Sequence, residues 1–71
     1  MDKQNLVRMA NRIGDFFRAL PDHDEAVNGI ADHLRRFWEP RMRREMMEHL
    51  AAGGEGLSDI VREALQTRNI V

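Results

Sequence analysis

The sequence contains no cysteine, and that absence removes disulfides, iron–sulfur ligation and thiolate zinc sites together. Long apolar runs are missing too, since nothing approaches the ~18 residues of a membrane span. The opening Met1-Asp2-Lys3-Gln4 leads into no continuous apolar segment. No secretory signal is therefore expected, and a cytoplasmic location is. Net charge is −1, which supplies no global field toward nucleic acid or an anionic membrane surface. At 71 residues the chain is expected to form a single helical domain over 1–71. A chain of this size buries only roughly 60% of the surface its unfolded form exposes. With disulfides excluded, good helix packing or association with a partner must make up the stability.

What is present reads as four helices. Leu6, Met9/Ala10, Ile13, Phe16/Phe17 and Leu20 recur at steps of three and four, with polar residues between them, predicting a helix from about Asp2 to Ala19. Gly14 inside it costs about 1 kcal/mol relative to alanine. Either a close helix crossing or a tolerated weakness accounts for it. Pro21 stops the helix, and Asp22 with Glu25 forms a capping arrangement that starts a second helix at His23. Its stripe is Val27, Ile30, Leu34 and Phe37, flanked by Ala26 and Ala31. Pro40 suits the first position of a third helix, in which Met42, Met46 and Leu50 line one face with Met47 beside them. Gly53 is a favourable residue just past its end, and Gly53-Gly54-Glu55-Gly56 is a turn. Ser58 caps a fourth helix with apolar residues Ile60, Val61, Ala64 and Leu65. Asn69-Ile70-Val71 is either frayed or docked on a neighbour. No strand-like alternation and no repeat occurs, so the expected fold is all-α, a small array of four short helices with short connections.

Chemistry is harder to find. His23, His33 and His49 form no His-Glu-x-x-His pattern, and Glu45 with His49 on one helix face are only two ligands. The only serine, Ser58, has no nucleophile-elbow glycines around it. The carboxylates sit mostly in first turns and on polar faces, with no isolated acid–base pair. The glycine-rich segment lacks the Lys-Ser/Thr of a phosphate loop and follows a helix where a dinucleotide fingerprint needs a strand. No catalytic, cofactor-binding or metal-binding residue is assigned.

The remaining signal lies at the junction of helices two and three. Arg35 to Arg44 carries five arginines against Glu39, and Phe37-Trp38 sits between them. Trp, Phe and Arg are the residues with which one protein grips another, because they combine contact area with directional donors. Arg41, Arg43 and Arg44 occupy the first turns of a helix, where positive charge opposes the dipole. They either form a solvated face partly neutralised through Arg41–Glu45 and Arg44–Glu48, or meet anionic groups of a partner. Phe37 is in register with the buried stripe and is expected in the core; Trp38 either closes the core or faces outward. The candidate contact set is His33, Arg36, Phe37, Trp38, Arg41, Arg43 and Arg44.

These residues, in this order, resemble a known family. Leu6-Val7-Arg8-Met9-Ala10-Asn11, then Ile13-Gly14 with Phe16-Phe17, begin the match. Gly29-Ile30-Ala31, His33-Leu34-Arg35, Phe37-Trp38 and Pro40-Arg41-Met42-Arg43 continue it. Gly53-Gly54-Glu55-Gly56-Leu57 ahead of Val61-Arg62-Glu63-Ala64 completes it. The chain looks like the delta subunit of the soluble, NAD-dependent, molybdenum-containing formate dehydrogenases, over nearly its whole length. The resemblance implies a non-catalytic accessory subunit that docks on the large alpha subunit of a complex also holding beta and gamma subunits. In such complexes the other subunits carry the molybdenum centre, iron–sulfur clusters and flavin, and the delta subunit carries no cofactor. It supports assembly, stability or cofactor maturation. Two alternatives stand beside it. One is a transient chaperone whose basic cluster meets the pyrophosphate of the molybdenum cofactor. The other is a nucleic-acid binder, because Leu57 to Leu65 looks like the first helix of ribbon–helix–helix repressors. Those repressors need a strand before that helix, where this chain has a glycine-rich turn. Self-association stays open.

Overall fold

In the computed structural model, which describes residues 2–71, the first three helices start and stop at features with a physical cause. Helix α1 spans Lys3–Arg18, α2 His23–Phe37, α3 Pro40–Ala51 and α4 Asp59–Thr67. Among the described residues there is no strand, as the all-α reading requires. Asp2 caps α1 by accepting from the Gln4 amide, and Pro21 follows its end. Asp22 caps α2 with Oδ1 accepting from the amides of Asp24 and Glu25. Trp38 and Glu39 adopt extended backbone, the latter as expected before a proline, and Pro40 opens α3. The end of α3 is a Schellman closure. Gly54 N–H donates to His49 C=O at 2.9 Å and Gly53 N–H to Leu50 C=O at 3.1 Å, with φ of +118° at Gly53.

Helix α1 packs against all three others, and α2 and α3 each also pack on α4. Although consecutive in sequence, α2 and α3 hardly touch each other. One apolar core gathers Leu6 and Ala10 from α1, Val27, Ile30 and Leu34 from α2, Met46 from α3, and Val61 and Leu65 from α4. The radius of gyration is 10.8 Å, against about 11 Å expected for a folded chain of this length. The close-crossing reading of Gly14 holds. A Cβ built there would lie 2.6 Å from Val61 Cγ2 and 3.3 Å from Ile60 Cγ2, so only glycine lets α4 approach α1 this closely.

Four expectations need correction. Phe37 is 70% exposed, whereas Trp38 is 6% exposed and completes the core. The buried series Val27, Ala31, Leu34 continues by four to Trp38, whose amide still bonds Leu34 C=O, so the tryptophan follows the centre of the stripe. Phe37 falls on its margin, where the chain leaves the helix and nothing covers it. Phe16 and Leu20 are likewise exposed, because the buried face of α1 is centred on Leu6, Ala10 and Gly14. The Arg41–Glu45 and Arg44–Glu48 pairs do not form. Finally, Ser58 stands at the cap position of α4 but its hydroxyl makes no cap bond, and it is buried without a partner.

The candidate docking surface

Of the five clustered arginines, two bond the C-terminal segment, Arg35 at the surface and Arg43 half-buried. Arg35 donates to the Asn69 carbonyl at 2.6 Å and Arg43 to the Ile70 carbonyl at 2.9 Å. Arg68 adds a bond to Asn28 Oδ1 at 2.6 Å. Ile70 is only 1% exposed, so Asn69-Ile70-Val71 docks on its own chain, with the isoleucine in the core. Two guanidiniums satisfy carbonyls that lie beyond the last helix and have no helical partner. Arg43 is half-buried and, through this bond, fastens the C-terminal segment to α3.

The others point outward. Arg36 pairs with Asp32 one turn earlier, at 3.1 Å, while Arg41 and Arg44 are exposed. Among the described residues, neither Arg41 nor Arg44 has a carboxylate within ion-pair distance. His33 is half-buried and Phe37 stands free beside it. The predicted contact set is thus divided. His33, Arg36, Phe37, Arg41 and Arg44 are accessible to a partner, while Trp38 and Arg43 are occupied inside the fold.

Phe16, expected on the buried stripe, is exposed, whereas Phe17 is half-buried against the core, and the two complete a row of rings with His33 and Phe37. Phe16 and Phe17 meet edge to face with centroids 5.2 Å apart and planes at 90°. Phe17 lies 6.2 Å from His33, and His33 lies 4.8 Å from Phe37. The geometry is that of attractive ring pairs, so the row is held in place before anything binds it. Gly29 makes the arrangement possible. A Cβ there would sit 2.4 Å from Phe17 Cδ1, so the phenylalanine ring rests directly on the α2 backbone. The resulting groove, about 310 Å3, is lined by Arg12, Ile13, Phe16, Phe17 and His33. Phe16, 73% exposed, forms its outer wall. The signal that could have found it is the width of α1's apolar stripe. Leu6, Ala10 and Gly14 already fill one face, so Met9, Ile13, Phe16 and Leu20 mark a second.

On another side of α1, hydrogen bonds tie the helix to the glycine-rich turn. Asn11 Nδ2 donates to the Gly56 carbonyl at 2.9 Å, and Asn11 Oδ1 accepts from the Ser58 amide at 2.9 Å. Asn11 therefore fixes the chain entering α4 through the amide of the cap residue, while the first-turn amides that the Ser58 hydroxyl was expected to satisfy receive no side-chain bond. Arg62 donates to the carbonyls of Gly53 and Gly54, and His49 Nε2 donates to the Glu55 carbonyl at 2.8 Å. The glycine-rich turn thus serves as a structural joint, stitched from three helices. Among the described residues, no helix is long and apolar enough to cross a membrane.

A sequence-family model described as the NADH-dependent formate dehydrogenase delta subunit, FdsD, matches residues 5–65. No curated protein and no solved structure matches the chain. The matched region includes all of α2 and α3 and most of α1 and α4, and the chain belongs to this family.

Proposed function

We propose that this protein is a non-catalytic accessory subunit that docks on the large alpha subunit of a cytoplasmic molybdenum formate dehydrogenase, supporting its assembly, stability or cofactor maturation. Family membership supplies the complex, and the ring row Phe16, Phe17, His33 and Phe37, exposed at Phe16 and Phe37 and half-buried between them, is the observation that carries docking. Large apolar side chains scattered singly over a surface need no explanation, but a contiguous ring row flanked by guanidiniums does. Fully burying a phenylalanine side chain is worth about 1.5–3 kcal/mol, so Phe16 and Phe37 together could anchor a stable contact. Arg36 beside Phe37, and Arg41 and Arg44 beyond Pro40, supply charged donors for the rim. With no cysteine, the chain contributes no thiolate to the iron–sulfur relay such an enzyme needs.

The test is co-purification of a tagged chain with the other subunits. Phe16→Ala combined with Phe37→Ala should reduce recovery of the large subunit by at least tenfold while leaving the isolated chain helical by circular dichroism. Unchanged recovery and unchanged formate oxidation would remove this surface from the interface.

A further inference from the structure

The groove between α1 and α2 has a chemistry narrow enough to define what enters it. We infer that it receives one bulky apolar side chain from an acidic segment of a larger protein partner, with a carboxylate next to that anchor meeting Arg12. This rests on reading the chain as a docking subunit, and it specifies the partner's side of that contact.

Size comes first. A volume of about 310 Å3 lies at the lower edge of the range for small-molecule sites, and the groove is open along one side. It suits a single side chain. Shape follows from Gly29. Because the Phe17 ring lies against the α2 backbone, it forms a floor, and Phe16 stands nearly perpendicular to it as a wall. Ile13 and the His33 ring close the remaining sides, so the interior is apolar.

Charge then selects the partner. Arg12 stands at the rim, exposed, and takes part in no ion pair among the described residues. None of the residues lining the groove is acidic. On the far side of His33, Arg36 continues the positive rim, partly neutralised by Asp32. An apolar socket edged by guanidinium complements an apolar anchor flanked by Asp or Glu, because Arg holds carboxylates in directional paired bonds. A second copy of this chain fits poorly. Two-fold pairing through the groove would set cationic rim against cationic rim.

A photo-crosslinking phenylalanine analogue at position 16, carried by the full chain in the assembled enzyme, reads out the neighbour directly. The expected product is a peptide of a larger subunit with Leu, Met or Phe within a few residues of Asp or Glu. Arg12→Glu should weaken recovery of the complex at least tenfold, Arg12→Lys less than threefold, and the wild-type contact should weaken as salt rises. Crosslinks to a second copy, or to a peptide without carboxylates, would overturn the inference. So would an Arg12→Glu chain that co-purifies as well as wild type. That last result would leave docking itself intact, whereas failure of the unmodified chain to co-purify at all would remove both readings.

Discussion

Two glycines, Gly14 on α1 and Gly29 on α2, allow two close approaches that end differently. At the α1–α4 seam, Gly14 is buried under Val61 and Ile60, two β-branched side chains with little rotational freedom. The seam is closed further by Asn11, whose amide bonds the Gly56 carbonyl and the Ser58 amide. At the α1–α2 seam, Gly29 lies under the Phe17 ring, and beyond that ring is solvent, with Phe16 upright beside it. The same small residue gives a core in one place and a socket in the other. At one seam α4 supplies side chains that cover the approach; at the other no element covers the ring beside Phe16, and a groove remains.

Breaking the closed side should have the largest effect. Trp38→Ala removes the side chain that completes the core at the α2–α3 corner, at a cost of about 3–5 kcal/mol. For a chain of this length that is a large part of a total stability of about 4–11 kcal/mol. Urea unfolding followed by circular dichroism should show most cooperativity lost. Phe37→Ala, one residue earlier, should stay within about 0.5 kcal/mol of wild type in the same experiment. Comparable losses at the two positions would contradict the inside–outside assignment of this pair.

A smaller effect is expected at the seams themselves. Gly14→Ala gains about 1 kcal/mol of helix propensity but forces α4 away, an overpacking cost of about 1–3 kcal/mol. The melting temperature should fall. Of the two seams, the smaller change is expected for Gly29→Ala, where the displaced Phe17 ring has open space to swing into. Stability should move by less than about 1 kcal/mol, while recovery of the enzyme complex drops because the socket floor has shifted. A Gly29→Ala chain that is as destabilised as Gly14→Ala would mean both seams are closed.

Much of this fold was legible because its signals are local. Asp22 before Glu25, Pro40 at a helix start and Gly53 past a helix end each act within one turn, so periodicity and caps placed all four helices. The ordered sequence elements were also enough to recognise the family. Tertiary structure decided what depends on distant parts of the chain. Whether Phe37 or Trp38 turns inward was set by where α2 ends and what lies beyond it. The bond that Arg43 makes to the carbonyl of Ile70, 27 positions away, lies outside any local pattern. The socket likewise exists only because Gly29 and Phe17, on different helices, meet. Helical periodicity reports which face of a helix is apolar. It carries no information about which part of that face another helix will cover, and in this protein the part left uncovered is the candidate docking surface.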